Sequence, residues 1–447
     1  MKVSIIGTSN SVIKNGYTQA LREKFEVNNL SSGRNPIFFH IKQLLNNAES
    51  LMSSDIIIID HYVNDINFYC NHYQKKNRIN NYFHHINNYY KLLSMLGTPI
   101  INVMFPIRFL KPGDKNHMRI KRISKRYGHN VIDLNETRIE KTHYKDAVHI
   151  KPQKSFIFGE YLSEYIVKHY SKSQPQNAHH APSERSSILD SLKNSPYMVL
   201  SADKVKSQSD NVSLENFTNS LISLGYLDGT STASGVKYAL PEAFENSELL
   251  SIGYINLAEK PHGISINDKH GKSHRYTLNG KLYYHESFDD PIEIKDLVHI
   301  KTHADTSDGQ FSNLMGRQSM GPPVLPANIV ELLVHNPAMT MEEQEAPAED
   351  IPTAMDMEAL RQRWLISKPT SRAFTLSTFS SLKSKVKNNR ESADVLRETA
   401  CMFEEIGDLT TANAIMKQAA LLKPNAPVIT KKLQEYRSLL NADAKTA

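Results

Sequence analysis

Short apolar runs alternate with longer amphipathic stretches over the first 170 residues. Near-continuous runs such as DIIIID at 55–60 and TPIINVM at 98–104 are typical of parallel strands that are buried on both faces. Shorter runs at 3–7 and 130–134 predict two more strands, and the stretches between them are long enough for crossover helices. This alternation predicts a doubly wound α/β sheet over residues 1–170, with a ligand crevice beyond the carboxyl ends of its strands.

The pattern changes after residue 170 and again after residue 305. Residues 171–187 are polar and contain prolines, which predicts a linker. Short strand-like runs follow over 188–305, and HRYTLNGKLYYHE is typical of a hairpin through an Asn-Gly turn. We therefore expect an all-β module here, with a sandwich as its expected form. Residues 306–356 hold several prolines and the acidic stretch MEEQEAPAED, which predicts a second linker. A fragment that ends near residue 170 is then expected to fold alone.

The last predicted region, 357–447, is helical. Within it, 393–424 resembles one tetratricopeptide (TPR) unit, a helical hairpin with small and aromatic residues at fixed positions and a closing proline. The matching positions are Leu396, Ala400, Phe403, Gly407, Ala412, Met416, Ala419 and Pro424. Met416 stands where the motif usually has an aromatic residue. A single unit cannot bury its own face, so we expect a flanking helix to pack on it. A plain helical hairpin is the alternative interpretation.

Composition narrows the class of protein without identifying it. The 447 residues are 40% hydrophobic and 22% charged, which is typical of a soluble globular protein of two to four domains. The net charge of +6 is mild, and we expect no nucleic-acid partner. No apolar run approaches the roughly 18 residues of a membrane span. Two cysteines and a start without a signal-peptide pattern predict a cytoplasmic protein.

Four short sequences in residues 1–170 have the residue types that nucleophilic catalysis needs: a hydroxyl, an imidazole, an acid that orients it and donors for an oxyanion. GTSNS places Ser9 directly after the first strand, although a serine there is more often a helix cap. Gly33 and Asn64 follow later strands, where turn formation explains either residue equally well. In DAVH, Asp146 and His149 are three positions apart, so the acid can hold the imidazole by its Nδ1–H.

The order Ser, Gly, Asn and Asp-x-x-His is the block order of the SGNH (GDSL-like) hydrolases, and residues 1–170 resemble that family. The resemblance implies a flavodoxin-like, three-layer α/β/α domain, followed here by the all-β module and the TPR-like helical segment. It implies Ser9 as nucleophile, His149 as general base and Asp146 as the residue that orients this base. The oxyanion donors would be the backbone N–H groups of Ser9 and Gly33 and the side chain of Asn64.

The sequence departs from the family pattern at two positions. Thr8 stands where the family usually has Asp, and Tyr62 stands where Gly commonly precedes Val-Asn-Asp. Tyr62 is expected to narrow the crevice or to alter the approach to Asn64. Ser11 is a rival nucleophile that lies further from the strand end. The basic stretch at 111–126 could contact an anionic glycan or a CoA phosphate, but the solvated face of a crossover helix is the favoured interpretation.

An acyl-enzyme can release its acyl group to water or to a sugar hydroxyl, and a triad alone does not distinguish the two outcomes. The leading hypothesis is an O-acetyltransferase or esterase that acts on a bacterial surface polysaccharide or its precursor. We expect no metal and no required cofactor, with acetyl-CoA as the acyl-donor substrate in a transfer reaction. The alternative is a non-catalytic SGNH-fold scaffold that recruits protein partners through the TPR-like tail. Tyrosines of the β module leave a carbohydrate-binding role open.

Overall fold

The computed structural model describes residues 1–33, 35–70, 74, 78–111, 113–137, 143–170, 181–206, 213–218, 223–229, 235–256, 261–278, 282–303, 325–341, 354–366, 393–405, 408–424 and 426–446. The chain divides into two compact units. The first unit comprises Met1–Ser9, Asn28–Asp133 and Pro175–Ala354. The second unit comprises Asn10–Val27, Leu134–Gln174 and Met355–Ala447.

The strands are β1 (Lys2–Gly7), β2 (Glu26–Asn29), β3 (Ile56–Asp60), β4 (Ile100–Met104), β5 (Asn130–Asp133), β6 (Tyr197–Ser201), β7 (Leu214–Thr218), β8 (Ser223–Leu227), β9 (Val236–Ala239), β10 (Ser247–Asn256), β11 (His262–Asn267), β12 (Ser273–Leu278), β13 (Leu282–Ile294), β14 (Leu297–His303), β15 (Leu325–Pro326) and β16 (Asn328–His335). The helices are α1 (Tyr17–Arg22), α2 (Ile37–Asn46), α3 (Ala48–Met52), α4 (Tyr62–Asn64), α5 (Ile79–Met95), α6 (Lys115–Arg126), α7 (Pro152–Tyr170), α8 (Pro182–Lys193), α9 (Ala202–Lys206), α10 (Met357–Ile366), α11 (Ala393–Glu405), α12 (Leu409–Leu422) and α13 (Pro427–Thr446).

A parallel sheet forms the α/β part of the first unit, which is Met1–Ser9 with Asn28–Asp133. Among the described residues its strand order is β2-β1-β3-β4-β5. The pairs β1–β3, β3–β4 and β4–β5 are all parallel. Four consecutive isoleucines make β3 apolar on both faces, and every residue of this strand is buried. The order is that of flavodoxin-like sheets, so the predicted parallel α/β sheet is confirmed.

The β module, β6 to β16, also lies in the first unit. Among the described strands, one sheet has the order β13-β10-β16-β8-β7, with β6 also paired to β16. The other has the order β12-β11-β14-β9, with β15 beside β11. Because β12 and β13 lie in different sheets, the hairpin expected from HRYTLNGKLYYHE is wrong, and its Asn-Gly turn lies outside the described residues. Apolar side chains of both sheets share one core, including Ile252 and Leu332 from the first sheet and Ile264 and Ile300 from the second. This arrangement has the form of a β-sandwich.

Both predicted linkers contain regular structure. β16 lies inside 306–356 and pairs with β6, β8 and β10, so the prediction of a linker is wrong for that strand. The apolar run NIVELLVH is buried along almost its whole length, which explains why it joins the sheet. Similarly, α8 begins at Pro182, inside the predicted linker 171–187. Residues 171–180 of that linker lie outside the described part of the chain.

Helices α1, α7 and α10 pack together in the second unit. The approach of α7 to α1 requires glycine, because a Cβ at Gly159 would stand 2.4 Å from the carbonyl oxygen of Tyr17. Trp364 of α10 is fully buried, and its indole N–H donates to the carbonyl of Lys154 in α7 at 2.9 Å. Arg363 adds two hydrogen bonds to Glu164, at 2.9 and 2.7 Å. Helix α10 therefore packs on α7, although the sequence analysis placed it in the C-terminal helical region 357–447.

Helices α11, α12 and α13 of the second unit share a separate apolar core. Residues of this core include six positions of the predicted TPR pattern: Leu396, Ala400, Phe403, Ala412, Met416 and Ala419. Tyr436 of α13 is buried in the same core, so a third helix covers the hairpin. Gly407 lies outside the described residues. The structure has a covered helical hairpin here, and membership of the TPR family stays a prediction.

Within the described residues, no helix combines the length and the apolar character that crossing a bilayer requires.

Candidate active site

Ser9 lies just past the carboxyl end of β1, where the chain enters the 3-10 turn Ser9–Val12. The segment after β2 runs beside this strand end, since Leu30 N–H donates to Ile5 O at 2.8 Å and Ser32 N–H donates to Gly7 O at 3.2 Å. Gly33 consequently faces Ser9. A Cβ built on Gly33 would lie 3.6 Å from the Cβ of Ser9. The structure thus brings two of the predicted site residues together.

Asn64 ends the short helix α4 after β3 and is buried. Its side-chain Nδ2 donates to the backbone carbonyl of Asn35 at 3.0 Å. Asn35 is two residues beyond Gly33, so Asn64 contacts the loop that faces Ser9. An amide NH2 carries two hydrogens, and this bond uses one of them. The next residue, Asp65, accepts from Ile37 N–H at 3.1 Å, which stabilises the first turn of α2.

Asp146 and His149 form a pair in the second unit. His149 Nδ1 lies 2.7 Å from Asp146 Oδ2 and 2.9 Å from Oδ1. Asp146 Oδ1 also accepts from the backbone N–H groups of Val148 and His149, at 2.9 and 3.0 Å. Partial burial raises the pKa of Asp146, but the bonds from Val148 and His149 outweigh it and hold this pKa below its ordinary value. The acid is therefore ionised at neutral pH and orients the imidazole through Nδ1.

The chain on either side of this pair is fixed by backbone contacts. Lys145 N–H donates to His149 O at 2.8 Å, and Tyr144 and Ile150 form an isolated bridge. Asn10, the residue after Ser9, donates from Nδ2 to Val148 O at 3.2 Å. The loop that carries the pair is thereby closed on itself and bonded to the 3-10 turn.

Ser11, the rival nucleophile, has a different environment. It is fully buried, and its Oγ lies 2.6 Å from the hydroxyl of Tyr17. Ser9, in contrast, is half-buried. A nucleophile must reach an external substrate, so burial against Tyr17 argues against Ser11 and favours Ser9.

Thr8, where the family usually has Asp, is bonded to a carboxylate from the neighbouring strand. Its Oγ1 donates to Asp60 Oδ2 at 2.9 Å, and its backbone N–H contacts the same oxygen at 3.3 Å. Asp60 is the last residue of β3 and is fully buried. An acid is therefore present at this strand edge, but it comes from β3. Sequence reasoning missed Asp60, although its position at the end of the DIIIID run was the available signal.

Tyr62 was expected to narrow the crevice or to alter the approach to Asn64, and this stays a prediction. Its ring is fully buried, and its hydroxyl lies 2.7 Å from His117 Nδ1 on α6. His117 Nε2 is in turn 2.9 Å from Asp133 Oδ2, which also accepts from Lys121 Nζ at 2.9 Å. The large side chain is accommodated because α6 supplies a polar partner for its hydroxyl. This cluster includes Lys121, one of the basic residues of the stretch at 111–126.

Comparisons with known proteins find similarity to solved esterase structures. The acetyl xylan esterase AlAXEase shares 15% identity and a TM-score of 0.31 over 38% of this chain and 98% of its own. A catalytic mutant of Axe2, an acetylxylan esterase from Geobacillus stearothermophilus, shares 15% identity and a TM-score of 0.28 over 37% and 92%. TesA shares 13% identity and a TM-score of 0.26 over 38% and 97%. No family model and no curated protein matches the chain.

Proposed function

We propose that this protein is a serine acyl-transfer enzyme of the SGNH type. Ser9 is the nucleophile, His149 is the general base and Asp146 orients that base. The backbone N–H groups of Ser9 and Gly33 and the side chain of Asn64 stabilise the oxyanion. The observation that carries this proposal is the position of the loop that contains Gly33. A Cβ built on Gly33 would lie 3.6 Å from the Cβ of Ser9, and Asn35, two residues after Gly33, accepts a hydrogen bond from Asn64.

The proposed reaction depends on which ring nitrogen of His149 is able to accept a proton. Because Asp146 accepts the Nδ1–H of His149, Nε2 is the nitrogen left to take the proton of Ser9 Oγ. Oγ then attacks the ester carbonyl, and negative charge develops on the carbonyl oxygen. When the tetrahedral intermediate collapses, His149 returns the proton to the departing alcohol or thiol and an acyl-Ser9 ester remains. Water or a sugar hydroxyl attacks this ester with the same base, which completes hydrolysis or transfer.

For the substrate we propose a bacterial surface polysaccharide or its precursor, which loses acetyl groups in hydrolysis or accepts them from acetyl-CoA where the reaction runs as transfer. This substrate is supported by the size of the two regions that the chain has beyond its α/β part, the β-sandwich and the covered helical tail. A small soluble ester would need neither a β-sandwich nor a covered helical tail. Hydrolysis and transfer differ in whether the site admits water or holds an acceptor hydroxyl.

A serine-reactive fluorophosphonate tests the nucleophile directly. The wild type should be labelled at Ser9, and Ser9→Ala should remain unlabelled and lose turnover of an aryl acetate by several powers of ten. Ser11→Ala is the matched control, because it also removes one hydroxyl from the same turn and should retain labelling. Labelling that moves to Ser11, or a wild type that is never labelled, would sink the proposal. In the second case the scaffold hypothesis, with partners recruited through the tail, gains support.

The other site residues should lose activity in a definite order. His149→Ala should cost about as much as Ser9→Ala, since nucleophile and base act as one unit. Asp146→Asn disturbs only the orientation of the base and should cost less. Asn64→Ala removes one oxyanion donor and should lower kcat by roughly 100- to 1,000-fold. Incubating the wild type with acetyl-CoA and candidate polysaccharides, and following acetyl groups by mass, then separates transfer from hydrolysis.

A further inference from the structure

The loop that carries Gly33 is bonded to the β module through one side chain. Asn35 is fully buried, and its Oδ1 accepts from the backbone N–H of His285 at 3.1 Å. Its own carbonyl accepts from Asn64 Nδ2 at 3.0 Å. One residue thus joins a strand of the β module to a proposed oxyanion donor, and it lies two positions from another such donor, Gly33.

The donor in this contact belongs to an edge strand. β13 is the terminal strand in the order of its sheet among the described residues, and it pairs with β10 in antiparallel fashion, with His285 opposite Gly253. In such a pair, alternate N–H groups point away from the partner strand. The N–H of His285 points away from β10 and is bonded to Asn35. The edge strand of the β module is therefore hydrogen-bonded to the loop that lies beside Ser9.

A buried polar cluster fixes β13 against α2, the helix that follows the loop. Lys42 of α2 lies 2.8 Å from Glu331 of β16 and 3.2 Å from the hydroxyl of Tyr283 in β13. Tyr283 also donates to Glu331, and the ring of His285 lies 2.7 Å from Ser251 Oγ of β10. These contacts leave little freedom for the backbone of His285. Its N–H is consequently a fixed point for the side chain of Asn35.

Building on the proposed function, we propose that Asn35 is a positioning residue that uses the β module to hold Gly33 and Asn64 in place for the oxyanion. Asn35 touches no reacting atom in this scheme. It acts through the two donors, which are needed mainly when charge develops on the substrate oxygen. Loss of its side chain should therefore lower kcat and leave KM nearly unchanged.

The test uses the full chain and turnover of p-nitrophenyl acetate. Asn35→Ala should lower kcat about 10- to 100-fold, the range expected when catalytic groups are slightly misplaced. In an Asn64→Ala background, the same change should cost several-fold less than in the wild type, because one of the two donors through which it acts is already absent. Full multiplication of the two losses would overturn the proposal, and so would an unchanged kcat in Asn35→Ala.

Tyr197→Phe is the matched control for general loosening of the β module. Its hydroxyl makes contacts to His85 Nδ1 at 2.8 Å and Asn88 Nδ2 at 3.0 Å, which join the β module to α5 and not to the loop. This change should lower the melting temperature and leave kcat unchanged. If it lowers kcat as much as Asn35→Ala does, the effect is not specific to the loop and the proposal is wrong.

A second pair of variants leaves the loop sequence intact. His285→Pro removes the N–H that Asn35 uses, while His285→Ala removes only the side chain, and proline is tolerated where an edge strand needs no ladder donor. The proline variant should have the lower kcat of the two, and equal values would overturn the inference. A wild type without labelling at Ser9 refutes the proposed function itself, whereas an active wild type with unaffected Asn35 variants refutes only this inference.

Discussion

Lys42→Met should destabilise the first unit by about 3–5 kcal/mol, the usual cost of removing one partner of a buried ion pair. The side chains of Lys42 and Glu331 are only 3% and 4% exposed, and Nζ lies 2.8 Å from Oε1. Methionine has nearly the same length and shape as lysine, so little packing is lost. What remains is a carboxylate that is buried without its cation.

The lowered pKa of Glu331 corresponds to a stabilising contribution of similar size. Burial raises this pKa, but Lys42 and His285 outweigh burial and lower it from 4.5 to about 2. At about 1.4 kcal/mol per pH unit, this difference corresponds to roughly 3 kcal/mol of stability at neutral pH. Because the folded pKa is the lower one, the contribution is present above pH 4.5 and is lost as the pH falls towards 2. Lys42→Met should lose most of this acid dependence.

Urea unfolding followed by circular dichroism provides the measurement. The single tryptophan of the chain, Trp364, lies in the second unit and would not report on this pair. Lys193→Met is the matched control, since Lys193 is 74% exposed in its pair with Asp190 and should cost less than about 1 kcal/mol. The double variant Lys42→Met/Glu331→Gln should recover part of the loss. If Lys42→Met costs no more than Lys193→Met, the reasoning about this pair is refuted.

Three further changes test other parts of the fold. Gly159→Ala should destabilise the second unit by about 1–3 kcal/mol, because the clash with Tyr17 outweighs the higher helix propensity of alanine. Urea unfolding followed by Trp364 fluorescence measures this change in stability. Thr8→Val should cost about 1–3 kcal/mol in urea unfolding followed by circular dichroism, since Asp60 loses a buried hydroxyl donor, and a neutral result would show that this bond contributes little. A fragment of residues 1–170 should show no cooperative unfolding transition by circular dichroism, because Lys42 and His85 lose their partners in the β module; a folded fragment would restore the boundary expected from the sequence.

Local patterns were sufficient for the parallel sheet and for single site residues. The isoleucine run of β3 is buried on both faces, and such a run identifies a central parallel strand without knowledge of its neighbours. The spacing of Asp146 and His149 is also local, and the structure has the expected contact through Nδ1. Contacts of this kind depend on residues a few positions apart, so the sequence carries their signal directly.

The contacts between the α/β part and the β module could not be predicted in this way. Asn35 and His285 are 250 positions apart, and neither stands in a motif. Likewise, no motif marks Lys42 as a buried residue, and its partner Glu331 lies on β16, far away in the sequence. The strand itself was assigned to a linker because prolines and acidic residues surround it. The periodicity of such a short apolar run also does not distinguish a buried strand from a buried helical segment.

The buried ion pair between Lys42 and Glu331 helps to explain why the β module and the α/β part share one unit. A buried ion pair adds little net stability over an apolar pair of the same size, but a misplaced one leaves a charge unpaired and is strongly penalised. We therefore expect Lys42 and Glu331 to disfavour other packing registers of the β module on α2 more than they stabilise the packing itself. Any shift that separated this pair would also move the N–H of His285 away from Asn35. The same contacts that select one packing arrangement thus set the position of the loop that faces Ser9.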